Sequence, residues 1–243
     1  MMQGKTILIT GGTAGIGKAL AEHLINTGNQ VIITGRDQDK LTRVTAALGC
    51  TGYVADSAST AQIATLAEAL KQDKIQLDGL VLNAGVFYPA PILQSSEADF
   101  DQTMNINTKG PLITLQHLHP LLNNPSSVVF VSSIVVTHAF ENSAAYSASK
   151  AAVEAIVRVA NLEFAADGIR LNSVRPGVTA TEIQAKAGMT TTQQHALFDS
   201  LNETAFGKVL TPADQIGAIS FLLSDQSLAM RNAVLEVSGG YGL

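Results

Sequence analysis

The chain has 243 residues, 46% hydrophobic and 14% charged, with a formal net charge of -5; that length suits one domain with a large core, and the charge is too modest and scattered for a nucleic-acid surface or a polybasic membrane patch. Cys50 is the only cysteine, so no intrachain disulfide can form, and with no histidine or acid beside it the residue reads as packing filler. The longest apolar run, 128–136, is interrupted by Ser132 and Ser133 and too short to span a bilayer, and strand-like sequence from Lys5 leaves no room for a signal peptide, so a cytoplasmic protein handling small molecules is expected.

Short β-rich runs alternate with helical stretches along the chain. The first run, Thr6–Ile9, leads into the turn Thr10-Gly11-Gly12-Thr13-Ala14-Gly15-Ile16-Gly17 and a helix near 15–27. Val31–Thr34, Gly52–Val54 and Gly79–Leu82 follow as strands, with helices expected over 38–48, 59–72 and 97–122. Val128–Val131 then precedes a helix over 144–167, and Arg170–Val174, a helix over 211–224 and Ala233–Val237 complete the order. Seven strands joined by helical crossovers predict one doubly wound parallel sheet, an α/β Rossmann fold in a single domain spanning 1–243. The polar stretch 179–209 interrupts the alternation and reads as a mobile lid over a substrate.

A glycine cluster after the first strand lets backbone N–H groups reach a pyrophosphate, and the next helix turns its positive end toward the same anion. Gly11, Gly15 and Gly17 are the expected contacts. The spacing Gly-x-x-x-Gly-x-Gly differs from the usual dinucleotide fingerprint, so this turn alone also fits a tight strand-to-helix connection. Where an NAD-binding fold carries an acid at the end of the second strand, this chain has Gly35 followed by Arg36. A missing carboxylate removes repulsion of a 2'-phosphate and a guanidinium can grip it, so NADP is favoured and NAD remains possible. The alternative for Arg36 is a solvated loop arginine near Asp37 and Asp39. Asp56, past the third strand, is placed either to accept from an adenine amino group or as an exposed loop carboxylate.

Tyr146 and Lys150 are four apart in a helix rich in small residues, so they share a face. A phenol ionises near pH 10, too high for proton exchange at neutrality, and a neighbouring ammonium favours the phenolate. Bringing it near neutral takes roughly 3–4 kcal/mol, expected from Lys150 and an oxidised nicotinamide. Ser133, at the carboxyl end of the fifth strand, suits a bond to a substrate carbonyl oxygen or a plain strand-end cap, and Ser132 is equally available. Asn107 sits inside a predicted helix where asparagine is a poor filler, which marks it as a candidate holder of a relay water.

In this order Thr10-Gly11-x-x-x-Gly15-Ile16-Gly17, Asn83-Ala84-Gly85, Asn107, Ser133, Tyr146-x-x-x-Lys150 and Arg175-Pro176-Gly177-x-x-x-Thr181 make the whole chain resemble a one-domain short-chain dehydrogenase/reductase. The resemblance implies Tyr146 as acid and base, Lys150 lowering its pKa and holding the nicotinamide ribose, Ser133 positioning substrate and Asn107 holding the relay water. It implies that Thr13 and Ile16 join the glycines at the cofactor, that Asn83, Ala84 and Gly85 support its adenosine half, and that Pro176, Gly177, Val178 and Thr181 meet the nicotinamide and phosphates. It also selects Ser133 over Ser132 by its separation from Tyr146, and implies a homodimer or homotetramer through the helices holding Asn107 and Tyr146. Leu82 and Ser238 depart from the family's usual asparagine and aspartate, away from the hydride-transfer residues.

The expected activity is hydride transfer between NADP(H) and a carbonyl or alcohol, in the form of an NADPH-dependent ketone or aldehyde reductase. An NAD-dependent alcohol dehydrogenase is the alternative, and a non-catalytic dinucleotide sensor or scaffold is a third reading. No metal site is expected, since His23, His117, His119 and His195 do not converge, and His138 is a loop residue between Ser133 and Tyr146. Phe87, Tyr88, Pro89, Pro91, Val135, Val136, Phe140, Ile183, Met189, Leu197 and Phe198 suggest an apolar substrate wall with no charged anchor.

Overall fold

Strands buried on both faces need apolar residues at consecutive positions, and the central strands of this chain supply them. A computed structural model describes residues 3–243. Its strands are β1 (Thr6–Ile9), β2 (Gln30–Gly35), β3 (Thr51–Val54), β4 (Leu77–Leu82), β5 (Leu122–Val131), β6 (Ile169–Pro176) and β7 (Val234–Val237). They form one parallel sheet in the order β3-β2-β1-β4-β5-β6-β7. The helices are α1 (Gly15–Asn26), α2 (Gln38–Leu48), α3 (Thr60–Gln72), α4 (Glu97–Met104), α5 (Gly110–Leu118), α6 (Ala144–Glu163), α7 (Glu182–Lys186), α8 (Thr191–Ser200) and α9 (Pro212–Leu223).

Because successive strand side chains point to opposite faces, β1 feeds two cores. Ile7 and Ile9 meet Leu20 and Leu24 of α1 and Ile216, Ile219 and Leu222 of α9. Leu8 joins Phe130 of β5 and, from the helices, Leu66, Leu115 and Val157 on the other side. Each such fully buried side chain contributes about 1.5–3 kcal/mol relative to exposure, so the sheet is a rigid platform for groups at its carboxyl edge. Among the described residues no helix is long and apolar enough to cross a membrane.

Two regions depart from the sequence reading. The helix expected over 97–122 is broken: α4 opens into a π-helical turn, Asn105–Lys109, before α5 starts, and β5 already begins at Leu122. Pro111 lacks the N–H that a continuous α-helix would aim at the Asn107 carbonyl, and the Gly110 N–H donates to the Asn105 carbonyl five residues back. The stretch 179–209 is not irregular throughout, since α7 and α8 form there, each opened by a capping box, Thr181 with Gln184 and Thr190 with Gln193. Its two ends are tied where Thr179 bridges Leu210.

Candidate active site

Strand order reverses beside β1, which pairs with both β2 and β4, and an open α/β sheet places its ligand crevice outside the strand ends at such a point. A cleft of about 450 Å³ lies there and runs from the glycine-rich turn to Tyr146 and Lys150. At its cofactor end Gly11, Thr13, Gly15 and Ile16 form the wall. Gly15 holds φ +51°, a backbone state that a side chain would strain, and α1 begins with no side-chain cap on its first N–H groups. Those free donors at the cleft wall suit a pyrophosphate. Gly17 is not on the wall. A Cβ there would stand 2.5 Å from Asn83 Nδ2 and 2.6 Å from the Gly11 carbonyl, so this glycine lets helix and turn pack closely.

Asn83 fixes the turn from β4: its amide donates to the carbonyls of Thr10 (2.9 Å) and Gly11 (3.2 Å), while Thr10 Oγ1 accepts from the backbone of Asn83 and Ala84. Asn83, Ala84 and Gly85 also line the cleft. Gly35 and Arg36 flank it at the end of β2, and a Cβ on Gly35 would come within 2.7 Å of Thr13 Cγ2. Asp56 reaches the wall too, with Oδ1 accepting from the Ala58 N–H in the turn ahead of α3. Above the turn lies Thr181, whose methyl would be 3.2 Å from a Cβ on Gly15. Beside it Glu182 of α7 accepts from Lys40 of α2 at 2.9 and 2.7 Å, strapping the excursion to the far side of the cofactor crevice. Pro176, Gly177 and Val178 continue the wall toward the catalytic end.

At that end Ser133, Tyr146 and Lys150 share the cleft. Tyr146 is partly buried, its ring 5.1 Å from Phe87, and Lys150 Nζ lies 5.6 Å from the ring centroid. Lys150 is 5% exposed and donates to the Val131 carbonyl at 2.7 Å. Burial raises the Tyr146 phenol to about 12, with the Ser133 hydroxyl pulling the other way. Burial also lowers Lys150 to about 8. Desolvation is the largest influence on both side chains, and the one hydrogen bond of the Lys150 ammonium goes to a backbone carbonyl.

Asn107 does not reach the cleft wall. Its Oδ1 accepts from the Val86 N–H (2.9 Å), and its Nδ2 donates to the Val86 carbonyl (2.9 Å) and to Ser149 Oγ (3.1 Å). Thr108 Oγ1 adds a bond to the Ser149 carbonyl, so the π turn grips α6 one residue before Lys150. The Asn107 side chain is thus bonded to Val86 and Ser149, and a relay water on this residue would fall to its backbone carbonyl. Pro111 was the sequence signal for this opened turn.

Ser132, the rejected neighbour of Ser133, donates to Glu154 Oε1 at 2.7 Å, and Arg175 grips both Glu154 oxygens at 2.8 and 2.6 Å. Although burial opposes it, these donors hold the Glu154 carboxyl below its ordinary value. Of the expected apolar wall, Phe87, Val135, Phe140, Ile183, Met189 and Leu197 line the cleft, whereas Tyr88, Pro89, Pro91, Val136 and Phe198 do not. His138 stands outside it, edge-on to Tyr241. The wall also carries charge that the sequence reading missed, from Glu141, Glu182 and Lys186, the last two paired at 2.9 Å. Cys50 packs against the α1/α9 core, and burial raises its thiol. No cluster of metal-ligating side chains occurs among the described residues.

Comparison with known proteins agrees with this geometry. Residues 11–242 match the family described as enoyl-(acyl carrier protein) reductase. An uncharacterized oxidoreductase of Methylorubrum extorquens is 32% identical over 98% of both chains. A 3-oxoacyl-[acyl-carrier-protein] reductase of Thermotoga maritima is 31% identical, again over 98% of each. Among solved structures, that of BdcA in complex with NADPH superposes with a TM-score of 0.87 at 25% identity, covering 99% of this chain and 96% of the other. With the parallel sheet, the glycine turn and the Tyr-Lys helix face in one cleft, the chain belongs to the short-chain dehydrogenase/reductase family of NAD(P)-dependent oxidoreductases acting on alcohol and carbonyl groups.

Proposed function

We propose that this protein is an NADPH-dependent reductase of ketones or aldehydes. The observation that carries the reading is one continuous cleft, with Ser133, Tyr146 and Lys150 at one end and Arg36, without an acid at position 35, at the other. A bound nicotinamide dinucleotide supplies the hydride. The Tyr146 hydroxyl gives its proton to the carbonyl oxygen, and the Ser133 hydroxyl donates a hydrogen bond to the same oxygen, stabilising charge as it develops there. Lys150 spends one donor on Val131, leaving two to hold ribose hydroxyls and return a proton toward Tyr146. Its lowered pKa of about 8 suits exchange near neutrality.

Arg36 grips the 2'-phosphate, and the glycine turn takes the pyrophosphate. The excursion 179–209 is the lid: Ile183, Met189 and Leu197 close an apolar wall over the substrate. Leu112 of α5 and Val159 and Leu162 of α6 are exposed, which supports a homo-oligomer built through these helices. The test is a fluorescence titration of NADPH and NADH on one preparation at one ionic strength, followed by NADPH oxidation against a 3-oxoacyl thioester, a cyclic diketone and a simple aldehyde. NADPH binding at least about tenfold tighter, a difference of about 1.4 kcal/mol, is expected. Equal or tighter NADH binding refutes the assignment of Arg36.

A further inference from the structure

We propose that Glu154 is a positioning residue for the reaction, holding the strand ends that carry Ser133 and the cofactor loop against the helix that carries Tyr146 and Lys150. This rests on the carbonyl-reductase reading and extends it to a group outside the reacting atoms.

Tyr146, Lys150 and Glu154 follow one another at four-residue intervals on α6 and so lie along one helix face. The last two engage consecutive residues of β5 and its exit: Lys150 donates to the Val131 carbonyl, and Ser132 donates to Glu154. Ser133 comes next in the chain. Its register on the α6 face is therefore fixed by two bonds immediately upstream. The same carboxylate takes Nε and Nη2 of Arg175 in a two-point grip, and Arg175 directly precedes the Pro176-Gly177-Val178 wall. The Ser132 N–H donates to the Val174 carbonyl at 2.8 Å and closes the triangle between the two strands. One side chain, 6% exposed, thus joins three elements that each contribute to the cleft.

Nothing in hydride or proton transfer uses Glu154, and a buried ion pair of this kind is commonly replaceable by apolar residues without loss of stability. Its geometry has a different value. A planar fork on a carboxylate fixes distance and angle together, which two methionines cannot do. Small displacements of reacting groups are costly in rate, so the effect appears in turnover rather than in folding.

The test compares wild type with the Glu154→Met/Arg175→Met double variant, and with Glu154→Gln in case the double variant does not fold. Three quantities are read: the melting temperature, the Cζ resonance of ¹³C-labelled Tyr146 at pH 7, and kcat with its primary deuterium isotope effect from 4-deuterated NADPH. Positioning predicts a double variant whose melting temperature falls only by the few degrees that the unpartnered Ser132 hydroxyl costs, a shifted Tyr146 resonance as Ser133 moves, and kcat lowered about tenfold or more with a larger isotope effect. A stable variant with unchanged kcat and isotope effect, or a Tyr146 resonance that stays in place, overturns the proposal. The resonance is read without substrate. If wild type reduces none of the carbonyls while the variant resonance moves, the reductase reading has failed and the positioning role stands.

Discussion

Replacing Asn107 with alanine separates a structural clamp from a participant in proton transfer. The side chain is 1% exposed and makes three hydrogen bonds, two to the backbone of Val86 and one to Ser149. A typical intramolecular bond contributes about 0.5–1.5 kcal/mol net, and a buried group left without its partner loses at least that much, so the variant should lose about 3 kcal/mol. For a chain of this length that lowers the melting temperature by about 6–12 °C. Asn107→Asp should lose a similar amount, because an oxygen would replace the donor facing the Val86 carbonyl. Calorimetry at fixed protein concentration measures the stability, and kcat is taken well below the variant's melting point. A melting temperature within about 2 °C of wild type, combined with collapsed turnover, would refute the clamp and return the side chain to the chemistry.

Tyr146→Phe should lower kcat by about 10²–10⁴-fold while NADPH binds as before, and undiminished turnover would remove the proposed proton donor. Arg36→Ala should weaken NADPH by about tenfold or more and leave NADH nearly unchanged; parallel losses for both cofactors would contradict a 2'-phosphate contact. Lys150 is held at about 8 against an ordinary 10.5, so the unfolded chain binds more protons than the folded one across that window and folded-state stability rises with pH there. Tyr146, raised from 10 to about 12, acts in the opposite sense above pH 10. Urea unfolding should therefore show wild type gaining on Lys150→Met between pH 7.5 and 9.5, and a constant difference would disprove the buried cation.

The order of strands and helices was legible because burial on both sheet faces forces apolar runs, and those runs are visible as composition. The paired face of Tyr146 and Lys150 was legible for the same kind of reason, since four-residue spacing on a helix is geometry that sequence carries directly. What lay hidden was contact across elements. Nothing local to Glu154 announces Ser132 and Arg175, which are distant in sequence and meet only when β5, β6 and α6 pack. The side-chain partners of Asn107, Val86 and Ser149, were hidden for the same reason, although Pro111 signalled that the helix could not run through. The two short helices in the excursion were announced by Thr181-x-x-Gln184 and Thr190-x-x-Gln193, a capping pattern outweighed by the polarity of the stretch.

The contact between Gly35 and Thr13 constrains how this protein's cofactor choice can change over an evolutionary or engineered path. A carboxylate for ribose recognition at position 35 would bring a Cβ within 2.7 Å of the Thr13 methyl, while the Thr13 hydroxyl sits at 3.4 Å. The two positions are therefore epistatic, and the order of substitution matters. Thr13→Ser, which deletes the obstructing methyl and keeps the hydroxyl, opens the way for Gly35→Asp; taken first, Gly35→Asp meets a steric barrier before it can confer any benefit.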